Sequence, residues 1–289
     1  MDNPDYPNHR SVCLMTFILE TGIVKVDDSS PYLFCREGKF VMTFKDYFSG
    51  HASSYEQYCP SYPQSFFAVL KSISPGAQRA LDVATGNGQA AIGLSHYFAE
   101  VLGIDASNQQ IKSARTCSNV TYRVASAEDT GCDSNSMDII TVAQALHWFD
   151  LERFYAEVKR VLKPGGVVAA WCYVNCTVNE EIDFYLNDYY HNVVGSYWPP
   201  ERIHVEQGYA DLYFPFSKVA VPAFEICSDM NLNNFIGYLG TWSSTVRYQK
   251  ATGENPLIPL YEKISSVWGD SDTLRTVRWP ILTRVGTNS

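Results

Sequence analysis

A mostly parallel α/β sheet under a helical, aromatic cover is the fold that this 289-residue sequence predicts, and three observations carry the prediction. From residue 80 onward, short apolar runs alternate with helix-period segments, the pattern of βαβ units. Acidic residues recur where successive strands end: Asp82, Asp105, then Glu128 and Asp129. After the fifth strand the chain turns to aromatic helical stretches, and insertions of that kind tend to cover the carboxyl edge of an open sheet.

The elements follow in order. A-L-D-V-A (80–84) reads as a buried strand, and residues 89–98 as the helix packed on it, with apolar positions 91, 92, 94 and 98. E-V-L-G-I-D (100–105) is a second strand, with Ser107 placed to cap the next helix. V-T-Y-R-V (120–124) alternates as a third strand, and M-D-I-I-T-V (137–142) is a fourth, after the polar loop 130–135. Residues 151–162 put Leu151, Phe154, Tyr155, Val158, Val161 and Leu162 on one helical face; Pro164-Gly165-Gly166 ends that helix and 167–173 gives the fifth strand.

Beyond Tyr173, residues 180–190 are helical, 218–226 reads as a sixth strand and 276–285 as the last. Pro222 demands an edge position or a bulge, and Pro280 raises the same demand. The segments 174–215 and 231–268 are thus expected as a lid on a core of about 78–173, all within a domain spanning 44–286. Residues 1–43, with Pro4, Pro7 and Pro31 and no strong period, read as an N-terminal extension, with Met42 a candidate alternative start.

Composition weighs against several function classes. A formal charge of −9 without a basic run disfavours a nucleic-acid partner, whose phosphates need clustered cations. No apolar run reaches the roughly 18 residues of a membrane span, and 12–19 lacks the flanks of a signal peptide, so a cytoplasmic location is expected. The eight cysteines show no C-x-x-C pair and no metal-ligand spacing; they read as small buried hydrophobes, with no metal. Nothing in the pattern speaks for a particular oligomeric state.

The stretch L-D-V-A-T-G-N-G-Q-A-A (81–91) matches the spacing G-x-G-x-x-G/A of a dinucleotide loop, yet Asp82 beside that turn would repel a pyrophosphate. Asp105 lies where an acid takes ribose hydroxyls, Glu128 and Asp129 suit the exocyclic amine of adenine, and Asp82 favours a cationic centre. S-adenosylmethionine carries all of these features and no phosphate. Each element alone is more often a tight turn or a solvated acid; the ordered conjunction carries the reading.

These segments, followed by A-Q-A-L-H-W-F-D and R-V-L-K-P-G-G, resemble the class I S-adenosylmethionine-dependent methyltransferases, and within them the small-molecule branch that includes trans-aconitate methyltransferase-like proteins. The resemblance covers about residues 44–286 and implies a Rossmann-like sheet with an antiparallel last strand. It assigns cofactor binding to Asp82, Ala84, Gly86, Gly88, Asp105, Ala106, Glu128, Asp129 and Gln144. Ala84 stands where the family has its first glycine. F-S-G-H-A-S-S-Y-E-Q-Y-C-P-S-Y-P (48–63) resembles a helix that closes over the cofactor, with Cys59 in place of a usual arginine. The substrate side falls to Tyr47, Trp148, Trp242, Arg247 and Tyr248, with Arg202 and Arg247 as carboxylate clamps whose commoner fate is a surface ion pair.

The implied chemistry is in-line methyl transfer to a small carboxylate or hydroxyl acceptor. A carboxylate needs no base; for a hydroxyl or amine, His147 is the candidate general base, with packing beside Trp148 as its alternative role. Rival readings are a nicotinamide-dependent oxidoreductase, an RNA or protein methyltransferase, and a non-enzymatic cofactor-binding protein.

Overall fold

The computed structural model describes residues 61–288, together with the backbone of two short strands, Phe17–Leu19 and Gly22–Val24, which pair antiparallel. That pair belongs to a separate unit, Met1–Asp46, whereas the large sheet, its helices and the candidate site belong to the unit Tyr47–Ser289. Tyr47, Cys59 and all but the last residues of 48–63 lie outside the described residues.

The second unit is described from helix α1 (Gln64–Ile73), and continues as β1 (Arg79–Val83), α2 (Gln89–Ser95), β2 (Glu100–Asp105), α3 (Asn108–Lys112), β3 (Val120–Val124) and β4 (Met137–Ala143). A 3-10 turn (Leu146–Trp148), α4 (Leu151–Val161) and β5 (Leu162–Tyr173) complete its first part. Its second part holds α5 (Glu180–Asp188), a π-turn (Tyr189–Val193), α6 (Arg202–Glu206), β6 (Ser217–Lys218), β7 (Phe224–Met230), α7 (Leu232–Gly240), α8 (Ser243–Thr252), α9 (Leu257–Trp268) and β8 (Arg275–Thr287).

The sheet runs β3-β2-β1-β4-β5-β8, with β6 and β7 on the far edge of β8. Its first five strands are parallel, and β8 lies antiparallel to β5, Ile281 opposite Tyr173 through Thr287 opposite Val167. This is the mostly parallel sheet with an antiparallel last strand, flanked by helices, that the resemblance implied.

The period of two explains how the sheet is held. Ile139, Val167, Ala169 and Trp171 face one side, where α1 and α2 contribute Phe66, Phe67, Leu70, Ala91 and Leu94. The alternate residues Ile140, Val142, Val168, Ala170 and Cys172 face the other, against Phe154, Val158 and Val161 of α4. Strands covered on both faces are apolar nearly throughout, which is why 167–172 reads as an unbroken run and 137–142 is interrupted only by the buried Asp138 and Thr141.

Several bounds differ from expectation for identifiable reasons. Helix α1, absent from the expected elements, follows Pro63 and buries Phe66, Phe67 and Leu70 at helical spacing. Helix α2 stops at Ser95, three residues early. Helix α4, capped by Asp150, stops at Val161 because Leu162 is already extended and pairs with Met137. The Pro164-Gly165-Gly166 turn is absorbed within β5 as a register shift, with Gly165 at φ +73°.

Pro222 has the effect expected of it. The sixth strand is an edge strand in two pieces, β6 pairing at Gly286 and Thr287 and β7 at residues 275–281, with Pro222 in the break. The second piece runs to Met230, four residues past the expected end. Of the described cysteines, Cys132, Cys172 and Cys176 are buried as expected, whereas Cys227 is exposed on that edge.

Candidate active site

The carboxyl ends of β3, β2, β1 and β4 stand side by side, so the predicted residues fall along one edge of the sheet. At its centre is the turn after β1. Thr85 N–H donates to the Ile104 carbonyl, Gly86 N–H to Asp105 Oδ2 at 2.9 Å, and Gly88 N–H to the Thr85 carbonyl. Asp105 also accepts from Ser107 N–H at 2.8 Å through Oδ1, so one carboxylate ties the glycine turn to the start of α3. Ser107 caps that helix, as expected, accepting from Gln110 N–H.

Asp82 requires a correction. It is fully buried, with Oδ2 accepting from the Thr85 hydroxyl at 2.6 Å and Oδ1 from the Thr141 hydroxyl at 2.7 Å. A group without accessible surface touches no ligand; Asp82 acts from behind the turn, clasping β1 to β4. Burial pushes its carboxyl up to about 6, against the pull of the two threonine hydroxyls.

The glycines also divide their work. Gly86, at φ +56°, is half-buried, and a methyl built on it meets nothing closer than Gln110 Oε1 at 4.0 Å, so it opens a cradle. Gly88, at φ +84°, is buried: a methyl there would lie 2.1 Å from the Tyr122 hydroxyl. Its small size makes room for Tyr122 of β3. Ala84 takes φ +54°, the left-handed region, at the position where the family has glycine.

Gln144, just past β4, is also left-handed at φ +61°, and its side-chain nitrogen is buried with no hydrogen-bond partner among the described residues. Two strained non-glycine residues at the ends of neighbouring strands mark a place that the fold over-determines. Ala106 is exposed beside Asp105. Glu128 is half-buried and accepts from Asp150 N–H at 3.2 Å, tying the end of β3 to α4; Asp129 is exposed.

Beyond β4 and β5 a cavity of about 140 Å³ opens. Its rings come from Trp148, Tyr173, Trp198, Tyr238 and Trp242, and Gln144, His147 and Arg202 supply polar groups. Trp148 and Trp242 line this cavity, while Arg247 and Tyr248 are not among its lining; Tyr248 packs edge-on against Tyr197 at 5.0 Å. Of the two arginines considered as carboxylate clamps, Arg202 is the one on the cavity wall. Its Nε donates to the Tyr190 hydroxyl at 2.9 Å and its guanidinium lies over Trp198, 4.6 Å from the ring centre. The Tyr190 hydroxyl in turn donates to Glu206 at 2.5 Å.

His147 sits in the 3-10 turn with its ring 4.6 Å from that of Trp148 and its Nδ1 3.2 Å from the Tyr209 hydroxyl. Burial, followed by the positive charge of Arg202, brings the imidazole down to about 4. It is neutral at neutral pH and a weak base. Tyr209 itself is fully buried at φ +62°, an outlier for an aromatic residue, with its carbonyl held by Arg284.

The comparisons with known proteins decide the family. Residues 81–170 match the family described as a methyltransferase domain. A Dictyostelium discoideum protein described as a methyltransferase is 32% identical over 233 residues, covering 79% of this chain and 89% of the relative. The chain belongs to the class I S-adenosylmethionine-dependent methyltransferases. A Saccharomyces cerevisiae protein described as an S-adenosylmethionine-dependent methyltransferase is 32% identical over 157 residues, half of this chain and 52% of that one. The solved structure of a protein from Anaeromyxobacter dehalogenans, described as a type II methyltransferase, is 41% identical and superposes with a TM-score of 0.77 over 79% of this chain and 97% of that one. S-adenosylmethionine is accordingly the cofactor of this methyltransferase, and the cradle at Gly86 beside the unpartnered amide of Gln144 fits it.

Proposed function

We propose that this methyltransferase acts on a small carboxylate or hydroxyl acceptor, by in-line transfer, in the cytoplasm. The cavity carries the reading. Its volume is an order of magnitude above the roughly 10–15 Å³ that one water needs, enough for a small organic molecule. Its walls come from three parts of the chain: Gln144, His147, Trp148 and Tyr173 from the core, Trp198, Arg202 and Val205 from 174–215, and Tyr238, Thr241 and Trp242 from 231–268. In this reading 44–286 is one catalytic domain, whose two helical segments form the lid over a core of about 78–173.

S-adenosylmethionine supplies a methyl group already activated on a sulfonium. Gly86, Asp105, Ala106, Glu128, Asp129 and Gln144 would hold it, with Ala84 and Gly88 shaping the turn and Asp82 supplying negative charge from behind. The chain's remaining work is to position the acceptor and exclude water, a task that suits the five aromatic residues and Arg202 on the cavity wall. The weak basicity of His147 favours an acceptor that is already ionised. Against a macromolecular substrate stand the net charge of −9 and the small volume of the aromatic cavity.

Incubation with methyl-labelled S-adenosylmethionine and fractionated small-molecule extract tests this reading. Label in a small molecule is the expected result, as a base-labile ester from a carboxylate or a base-stable ether from a hydroxyl. Label confined to RNA or protein rejects it, and tight cofactor binding without any transfer points to a binding protein instead.

A further inference from the structure

The hydrogen bond between His147 and Tyr209 leaves open which atom donates, but the surroundings close the question. A phenol has one proton and can accept through its lone pairs. If Nδ1 carried the ring proton, it would donate to the phenolic oxygen, and the phenol's own proton would be stranded in a site where Tyr209 has no accessible surface. No other acceptor for that proton is found among the described residues. One assignment satisfies both groups: the phenol donates to Nδ1, and the ring proton resides on Nε2.

We propose that Tyr209 is a positioning residue that fixes His147 as the Nε2–H tautomer, so that the histidine offers the cavity a hydrogen-bond donor and not a base. The proposal rests on the methyltransferase reading of this cavity and sharpens its acceptor. Nε2 has no partner among the described residues, and His147 lines the cavity. Arg202 lines the same cavity, stacked on Trp198, and among the described residues only its Nε forms a hydrogen bond to a side chain. Two donors of this kind converge on an acceptor bearing an anionic oxygen, which they orient by hydrogen bonds without removing a proton. The left-handed backbone at Tyr209 is a cost the chain bears to bring its hydroxyl under His147.

The experiment is nitrogen NMR on the full chain with labelled histidine, the His147 signals being assigned by their absence in His147→Gln. A pyridine-like Nδ1 and a pyrrole-like Nε2 are expected, and the preference should dissolve in Tyr209→Phe. The reverse pattern in the wild-type protein overturns the proposal whether or not a methyl acceptor has been found. With an acceptor in hand, His147→Gln, which restores an N–H near the Nε2 position, should retain kcat/KM within about tenfold, while His147→Ala falls by roughly a hundredfold. A Gln variant as inactive as the Ala variant would also overturn it. The groups facing the ring are Arg202, His204, Glu201 and Tyr209, so kcat/KM should not rise with pH between 6 and 8 as a titrating base requires. Absence of transfer to every acceptor would count against the methyltransferase activity and leave the tautomer result standing.

Discussion

Replacing Asp82 by Asn should make the protein more stable and a poorer cofactor binder. The wild-type carboxyl is fully buried and raised from its ordinary value of 3.8 to about 6. Because the folded state holds the proton more tightly than the unfolded state, stability from this group is complete below pH 4 and is lost as pH rises through about 6. The gap is worth roughly 3 kcal/mol at about 1.36 kcal/mol per pH unit. Asn is neutral at all pH and keeps one acceptor oxygen for the hydroxyls of Thr85 and Thr141. At pH 8 the variant should therefore gain up to about 3 kcal/mol, less the weakening of one charge-assisted bond by about 1 kcal/mol. For a domain of this size the net is about 4–8 °C in Tm. The charge opposes this on the functional side. A cationic centre on the order of 10 Å away, at an effective dielectric of about 20, feels it by roughly 1.7 kcal/mol, somewhat more than tenfold in affinity. Urea denaturation of both proteins at pH 5 and pH 8, with calorimetric titration of S-adenosylmethionine, reads both effects. A variant equally destabilised at both pH values, or binding cofactor as tightly as the wild type, would refute the reasoning.

Three further outcomes can be checked directly. Gly88→Ala should cost about 2–3 kcal/mol in chemical denaturation, the sum of roughly 1–2 for a left-handed alanine and about 1 for the displaced bond from the Tyr122 hydroxyl to the Arg115 carbonyl. Ala84→Gly should raise Tm slightly, since relief of about 1–2 kcal/mol at φ +54° outweighs roughly 0.5–1 of added backbone entropy. Arg202→Gln should raise KM for an anionic acceptor by about tenfold or more while leaving cofactor affinity unchanged, because the guanidinium lines the cavity and not the glycine turn; equal losses in both would contradict its assignment.

What was legible in the sequence was what the local pattern determines. The mostly apolar runs at 137–142 and 167–172 identify strands covered on both faces, and Asp105 with Gly86 fixes the first crossover. The strip of carboxylates was legible in position but not in exposure. Whether Asp82 faces a ligand or hides behind the turn depends on Thr141, 59 residues away, whose hydroxyl has no reason to be read from the string D-I-I-T-V. Arg247 and Arg202 look alike in sequence, and only the fold places Trp198 beneath one of them and leaves the other off the cavity wall. Helix α1 had a local signal, Phe66, Phe67 and Leu70 after Pro63, that went unused. Tyr209 had none, since its partner lies 62 residues away and nothing local requires an aromatic residue in a left-handed conformation.

Strain gives that last observation its weight. Among the described residues, four non-glycine positions have positive φ: Ala84, Asn135, Gln144 and Tyr209. Asn135 lies in a polar loop, where asparagine tolerates the conformation. The other three are at the site: Ala84 in the cofactor turn, Gln144 at the boundary between turn and cavity, and Tyr209 beneath His147. Each is pinned by a backbone neighbour, with Thr85 N–H on Ile104, Gln144 N–H on the Trp171 carbonyl, and Tyr209 N–H on the His204 carbonyl. Conformations costing on the order of 1–3 kcal/mol each persist only when the surrounding structure fixes them. A chain that bears this cost at the cofactor turn, at the boundary and under the histidine is preorganised for positioning. That agrees with a reaction whose donor is activated before it arrives.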